Sequence, residues 1–279
     1  MNYSQGSESV SDVSTRKRGF PNPLQWIGAA ALSFFSEIGR LSIFFGKVAG
    51  AAFSPPWYLS EVWKQMVRIG FYSLPVVGLS AVFIGAALAL NIYEGGSRYG
   101  AEQFVPSIVV LGITRELGAT ITGLMLAGRV SAGISAEIGA MRVTEQIDAL
   151  ETLSTSPQRF LYGPRFLASI VSLPLLVIVA DIIGIMGGWL VSVFALGFDS
   201  TTYLRNTLDF VTNEDVLVGL IKAVVFGAVI AIMGCYQGDR SEAGATGVGR
   251  AATLAMVGAA VLVLASNYVL STIFVEIGL

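Results

Sequence analysis

The segment FYSLPVVGLSAVFIGAALALNIY, residues 71–93, contains no charged residue and is long enough to cross a bilayer as a helix. Four more apolar segments follow it, at about 104–140, 165–196, 216–236 and 251–275. The chain of 279 residues is 54% hydrophobic and 13% charged, with a mean hydropathy of +0.71. Long apolar runs are typical of membrane helices, whereas barrel strands alternate. The sequence therefore predicts an all-α membrane protein with five transmembrane helices.

Two regions precede these segments. Residues 1–19 are polar and rich in serine, which predicts a disordered cytoplasmic tail and not a cleaved signal peptide. Residues 20–57 are apolar but carry Glu37, Arg40 and Lys47, which favours an amphipathic helix in the membrane interface over a re-entrant or spanning segment. A membrane domain over residues 58–279 follows.

The lysines and arginines predict the orientation of the chain. If the N-terminus lies inside, twelve of them fall on inner segments and three on outer segments, namely Arg98, Arg205 and Lys222. Cytoplasmic loops carry an excess of these residues. We therefore expect a cytoplasmic N-terminus, a C-terminus on the other side, and cytoplasmic segments at 141–157 and 237–250. The second of these is rich in glycine and is predicted to be a flexible loop.

The composition excludes several kinds of site. The chain has no histidine and a single cysteine, Cys235, which argues against His/Cys metal sites, histidine-based catalysis and intrachain disulfides. No Gly-Lys-Ser/Thr sequence is present, so the chain cannot hydrolyse ATP through a Walker A loop. Gly247-x-Gly249-x-x-Ala252 lacks the preceding strand that a dinucleotide site needs. The net charge of −2 gives no indication of nucleic-acid binding.

The segment MRVTEQIDALETLSTSP, residues 141–157, is unusually acidic for this chain. Helical spacing places Ile147 and Leu150 on one apolar face, and Glu145 and Asp148 on another. These positions predict a short amphipathic helix over about 143–153.

Thr144 is placed to cap the start of this helix. The plainest interpretation of the helix is a solvated connector lying on the membrane. An acidic face, however, matches an anionic inner leaflet poorly, and an acidic face with one apolar stripe suits a groove in a partner protein. The residues alone leave both interpretations open.

Three charges fall at membrane depth. Arg115 and Glu116 lie about eleven residues into the second segment, and Asp181 lies at the centre of the third. Intramembrane charges are costly and usually face a partner or a wet cavity. A substrate path is one interpretation, and a buried ion pair between Arg115 and Asp181 is the one we favour.

Small residues recur at a spacing of four. Gly184 and Gly188 lie on the third segment, and Ser131, Ser135 and Gly139 lie on the second. Such faces allow helices to approach closely. Packing within the chain is the favoured explanation, and packing between two copies is the alternative.

The motifs AGRVSAGISAEIGAMRVTEQIDALETL (127–153) and GVGRAATLAMV (247–257) resemble the MlaE/YrbE permeases of MCE-type, Mla-like, lipid-transporting ABC systems. The resemblance covers about residues 58–275, so residues 58–279 would be the permease domain. It implies an N-terminal interfacial (elbow) helix, five spans, a homodimer and a short cytoplasmic coupling helix between the second and third spans.

The resemblance also implies a function. A homodimer of such permeases would move phospholipid between the bacterial inner membrane and a periplasmic MCE-domain protein, maintaining outer-membrane lipid asymmetry. The chain would be a transport subunit and not an enzyme, with no cofactor of its own, because a partner MlaF-like ATPase would bind ATP and Mg. An MlaD-like MCE hexamer is a further expected partner, and an MlaB-like STAS-domain protein is an additional candidate. A sterol or another hydrophobic lipid is the alternative substrate.

The resemblance assigns residues by position. Contacts with the ATPase are expected from Glu145, Gln146, Ile147, Asp148, Ala149 and Leu150. A lipid cavity is expected, by location only, at Leu88, Leu90, Tyr93, Glu94, Phe104 and Val105. Two other functions remain as alternatives: an ion-coupled secondary transporter that uses Arg115, Glu116 and Asp181, and a structural membrane anchor for an MCE complex.

Overall fold

The computed structural model describes residues 23–278, which form helices and connecting turns without a β-strand. The predicted tail at 1–19 lies outside this range. The α-helices are α1 (Pro23–Ala52), α2 (Leu59–Ile69), α3 (Leu74–Ser97), α4 (Val105–Gly112), α5 (Gly118–Leu126), α6 (Ala132–Val143), α7 (Gln146–Thr152), α8 (Gly163–Phe194), α9 (Ser200–Phe210), α10 (Asn213–Asp239) and α11 (Ala245–Ile277).

Five helical segments are long and apolar enough to cross a membrane. They are span 1 (Leu59–Ser97), span 2 (Glu102–Val143), span 3 (Gln158–Phe194), span 4 (Asn213–Asp239) and span 5 (Ala245–Ile277). The predicted all-α fold with five spans and an N-terminal helix is confirmed. Most segments extend beyond their predicted bounds, because the helix continues through the polar residues that flank each apolar stretch.

Two predicted boundaries are wrong for this reason. Span 1 begins at Leu59 and not at residue 71, because helix α2 continues into it through a 3₁₀ turn at Phe71–Ser73. The predicted loop at 237–250 shrinks to residues 240–244, because span 5 begins at Ala245. Gly247 lies so close to the Glu242 backbone that a Cβ atom would collide with its carbonyl oxygen, so this glycine permits close packing of the chain.

The chain divides into two compact units, one ending at Ile43 and the other beginning at Phe44. The described part of the first unit is the start of α1, where Leu32, Phe35 and Ile43 expose large apolar side chains. Exposed apolar side chains on a helix suit contact with lipid. Of the helices that the structure describes, α1 is not among the five long and apolar enough to span, and its interfacial placement stays a prediction.

Span 2 departs from regular α-helix at two places. π-Helical segments occur at Ile113–Leu117 and at Ala127–Ser131. Such segments are rare and frequently occur at functional sites. The first carries Arg115 and Glu116, and the second carries Arg129, so charged residues of the span coincide with its irregular turns.

Glycines bring spans 1 and 3 into backbone contact. A Cβ atom on Gly85 would collide with the Gly184 carbonyl, and one on Gly187 would collide with the Val82 carbonyl. The small residues of the third span therefore allow close packing within the chain. This is the explanation that the sequence favours over packing between two copies.

The serine row of span 2 faces span 4 in the same way. Cβ atoms built on Gly234 and Gly238 would lie 2.9 Å from the carbonyl oxygens of Ser131 and Ser135. Close helix contact through small residues thus holds spans 2 and 4 together.

Candidate coupling surface and intramembrane charge network

The predicted amphipathic helix between spans 2 and 3 corresponds to α7, Gln146–Thr152. Ile147 is its buried anchor, and Leu150 is half-buried. Leu153, just after the helix, is 75% exposed. The predicted apolar stripe is therefore only partly used for packing inside the chain.

The start of α7 differs from the prediction. Thr144 does not cap it, because its hydroxyl donates to the Ala140 carbonyl at 2.9 Å and so completes span 2. The N-cap position belongs to Glu145, in a left-handed conformation with φ of 59°. This conformation lets the chain turn sharply, so α7 follows the last residue of span 2, Val143, after two residues.

The outer face of α7 is acidic and exposed. Glu145, Gln146, Asp148 and Ala149 are all exposed, whereas Ile147 is not. The Asp148 carboxylate lies 2.8 Å from the Arg142 guanidinium, which holds it against the end of span 2. This pair is solvent-exposed and contributes little to stability. The predicted contact residues thus form an open polar surface around one buried anchor.

The six residues predicted for a lipid cavity separate into two sets. Val105 is completely buried in a cluster with Ala89 and Val109, and Leu88 and Tyr93 pack against that cluster. The structure therefore does not support a lining role for Val105. The exposed set is Leu90, Glu94 and Phe104.

Arg115 pairs with a different acid from the one predicted. Its guanidinium lies 3.0 Å from the Asp215 carboxylate at the start of span 4. Asp215 also closes a capping box with Thr212, whose hydroxyl donates to it at 2.7 Å. The expected pair of Arg115 with Asp181 is wrong, because the Arg115 guanidinium contacts Asp215 on span 4 instead.

Lys222 is the centre of a second set of contacts. Its side chain is 0% exposed, and its ammonium donates to Glu116 at 2.7 Å, to Ser271 at 2.8 Å and to the Arg115 carbonyl at 2.9 Å. The Asn267 amide donates to the other Glu116 oxygen at 3.0 Å. These contacts join spans 2, 4 and 5 through one buried charge, which needs such partners in an apolar environment.

Asp181 stays apart from both pairs. It is 8% exposed, and its Oδ1 atom has no hydrogen-bond partner in the described residues. A Cβ atom on Gly118 would collide with this oxygen, so a glycine at the end of the first π segment makes room for the carboxyl group. The three predicted intramembrane charges are therefore not one cluster.

Lys222 and Asp215 are not among the residues that the sequence predicts for a functional site. The orientation count places Lys222 among the three outer residues, although it falls within the predicted fourth segment at 216–236. Lys222 lies about one and a half helical turns from the start of that segment, and this depth is the feature of the sequence that indicates a buried charge. No sequence pattern indicates that its partner is Glu116.

Outside the spans, α9 begins with a capped turn. The Asp199 carboxylate accepts a hydrogen bond from the Thr202 backbone N–H at 2.7 Å, which lowers the pKa of Asp199. Burial raises the pKa of Tyr203 on the same helix. Helix α9, Ser200–Phe210, lies between spans 3 and 4 in the sequence.

Known proteins match most of the chain. A family model described as Permease MlaE matches residues 62–273. A probable ABC transporter permease protein of Rickettsia felis is 48% identical over 251 residues, which is 90% of this chain and 97% of the relative. The intermembrane phospholipid transport system permease protein MlaE of Haemophilus influenzae is 34% identical over 261 residues, 92% of this chain and 99% of the relative. The family match therefore runs from span 1 to span 5 and includes α7.

Proposed function

This chain belongs to the MlaE permease family and is an ABC transporter permease, and we propose that it moves phospholipid between the bacterial inner membrane and a periplasmic MCE-domain protein. The observation that carries the proposal is the likeness to the Haemophilus influenzae permease, whose name specifies intermembrane phospholipid transport and which this chain matches over 99% of its length. In a diderm cell such transport would maintain the lipid asymmetry of the outer membrane. A sterol or another hydrophobic lipid remains the alternative substrate.

The proposed assembly is a homodimer of this chain with an MlaF-like ATPase on the cytoplasmic side and an MlaD-like MCE hexamer on the periplasmic side. An MlaB-like STAS-domain protein is a further candidate partner. The absence of a Walker A sequence supports a separate ATPase that binds ATP and Mg. Arginine and lysine are in excess on the side of the membrane where the N-terminus lies, which supports a cytoplasmic N-terminus and a periplasmic C-terminus. Lys222, one of the three outer residues, is buried within span 4 and does not weaken this excess.

The acidic face of α7 is the proposed contact with the ATPase. Glu145, Gln146, Asp148 and Ala149 are exposed, and Leu153 adds an apolar side chain beside them. An exposed leucine beside acidic groups suits a groove with a basic rim. Ile147 and Leu150 would support the surface from the side that faces the chain.

Span 2 is the proposed lever. Only Thr144 and Glu145 separate its last residue from α7, so a displacement of α7 passes directly to a helical segment of 42 residues. The two π segments interrupt the regular hydrogen-bond ladder of this span. At these two π segments the helix of span 2 would change its hydrogen-bonding pattern, and so its bend, when the ATPase subunits close.

The proposed lipid cavity lies at the ends of spans 1 and 2 that are remote from α7. Leu90, Glu94 and Phe104 are exposed there, while the packed cluster of Ala89, Val105 and Val109 would form a stable wall behind them. Movement of span 2 would narrow the space between two copies and expel lipid.

The ion-coupled alternative has less support. A transported ion needs a charge that can change partners, but Arg115 and Lys222 are each held by a short ion pair to another helix. The structural-anchor alternative predicts no lipid transfer at all.

The experiment is a transfer assay with the purified complex in liposomes. We expect ATP-dependent transfer of a labelled phospholipid to the MCE-domain partner. Transfer that needs a membrane potential and no ATP would favour the ion-coupled alternative. Absence of transfer under both conditions would favour the anchor.

The coupling surface is tested separately by Asp148→Arg. The change removes an acid from the docking face and places a second positive charge beside Arg142, so we expect at least about a tenfold loss of ATPase in co-purification. Asp209→Arg, on the exposed face of α9, is the matched control and should leave the ATPase bound. An intact complex with unchanged lipid-stimulated ATP turnover would contradict the docking role of Asp148.

A further inference from the structure

A cavity of about 280 Å³, lined by both charged and apolar side chains, lies between the start of span 1 and the α7-proximal half of span 2. Arg68 and Tyr72 line it from span 1, and Arg129, Gly133 and Glu137 line it from span 2. A Cβ atom built on Gly133 would meet nothing within 4 Å, so the cavity is open at this wall. It is separate from the proposed lipid cavity at the other end of these spans.

The charges around this cavity do not balance. The Glu137 carboxylate accepts from Arg68 at 2.8 and 2.9 Å and also pairs with the buried Arg165 at 3.2 Å. Arg129 donates to the Tyr72 backbone carbonyl, which is a neutral acceptor. Arginine stays protonated in proteins. Glu137 therefore pairs with Arg68 and Arg165 and not with Arg129, and the charged residues that line the cavity (Arg68, Arg129 and Glu137) carry an excess of one positive charge.

The position of the cavity along span 1 corresponds to the membrane interface. The uncharged segment at 71–93 begins three residues after Arg68. Trp63, Phe71 and Tyr72 are exposed aromatic side chains on the two sides of Arg68 in the sequence. Aromatic residues of this kind mark the level of the lipid headgroups. The positive cavity thus opens where phosphate groups of the adjacent leaflet lie.

We propose that this cavity binds the phosphate of a phospholipid from the leaflet on the α7 side, and prefers an anionic headgroup such as phosphatidylglycerol. Arginine matches phosphate through paired N–H donors, and basic pockets between membrane helices take anionic headgroups. The excess of positive charge in the cavity lining gives the preference over zwitterionic phosphatidylethanolamine. A lipid bound here would join α2 to span 2 beside its second π segment. The site does not depend on which lipid is transported.

The test is site-resolved photo-crosslinking on the full chain, purified with the subunits that accompany it. The probe is phosphatidylglycerol with a photoreactive group near its headgroup, and peptide mapping reports its yield on residues 65–72 and 129–137. We expect unlabelled phosphatidylglycerol to compete at concentrations about tenfold lower than phosphatidylethanolamine. Inorganic phosphate should not compete in the same range.

Two substitutions remove the site in different ways. Arg129→Gln removes a guanidinium, and Gly133→Leu fills the open wall; each should lower the crosslink yield about tenfold or more. Lys64→Gln is the charge control, because Lys64 is exposed on α2, pairs with Glu61 and does not line the cavity. Gly128→Leu is the size control, since a Cβ atom there also meets nothing within 4 Å.

Yields that fall equally in the variants and their controls would overturn the site, and so would equal competition by the two lipids. Competition by inorganic phosphate at lipid-like concentrations would overturn the lipid as ligand. If Gly133→Leu fails to fold, the Arg129→Gln and Lys64→Gln pair still decides the outcome. Loss of ATP-driven transfer with crosslinking intact would contradict the proposed function and leave this site standing.

Discussion

Replacing Glu116 by alanine is expected to destabilise the protein strongly, because it leaves the Lys222 ammonium buried without a counter-charge. The Lys222 side chain is 0% exposed, and its shortest contact is the 2.7 Å bond to Glu116. The remaining acceptors, Ser271 and the Arg115 carbonyl, are neutral. The Asn267 amide would lose its acceptor as well.

The magnitude follows from the burial of the two partners. Removing one member of a buried ion pair costs roughly 3–5 kcal/mol. The Glu116 side chain is 44% exposed, so water screens its part of the interaction, which places the expected loss at the lower end. A loss of about 3 kcal/mol corresponds to about a 150-fold change in the folding equilibrium.

The assay is equilibrium unfolding in mixed micelles for Glu116→Ala, Lys222→Met and the double variant. Apolar replacement of both partners of a buried pair is often nearly neutral, so the double variant should be clearly more stable than Glu116→Ala alone. Glu242→Ala is the control, because Glu242 is exposed and its pair with Arg250 lies in solvent. It should change the free energy of unfolding by less than about 0.5 kcal/mol.

The result that refutes this reasoning is additivity. If the double variant loses as much free energy of unfolding as the two single variants together, Glu116 and Lys222 do not stabilise each other. A Glu116→Ala protein as stable as the Glu242→Ala control would contradict it more directly.

Three more predictions concern other positions. Gly187→Val should reduce thermal stability and the yield of folded protein, because its side chain would collide with the Val82 backbone. Asp181→Asn should leave thermal stability unchanged or raise it, since the buried Oδ1 atom has no hydrogen-bond partner among the described residues. A marked loss of thermal stability would show that the ionisable carboxyl group stabilises the fold. The hydrogen bond from the Thr202 N–H lowers the pKa of Asp199 in the native protein. The stabilisation by this cap is therefore complete above the pKa of an unfolded aspartate, about 3.9, and is lost as the pH falls through the lower native pKa. Unfolding temperatures of the wild type and Asp199→Asn, measured between about pH 6 and pH 3, should converge at the acid end.

The number of spans could be predicted because a helix that crosses the bilayer needs a run of about 20 apolar residues. Such a run is visible within a single segment of sequence and does not depend on contacts with the rest of the chain. The segment at 141–157 was predicted as a short helix for the same reason, since its apolar and acidic residues repeat with the helical period. The cap was not predicted correctly. Thr144 and Glu145 both suit a helix start, and the choice between them depended on how far span 2 continues.

The sequence by itself determined that this is an all-helical membrane protein with five spans and an acidic helix between the second and third. Those properties depend on composition and on spacing within single segments. Only the tertiary structure decided that Arg115 pairs with Asp215, that Lys222 joins three spans, and that Asp181 has no charged partner among residues 23–278. The packing of span 2 against span 4 brings together residues about a hundred positions apart in the sequence. An apolar interior makes an unpaired charge costly, and the packing of the helices selects which acid each of Arg115 and Lys222 meets.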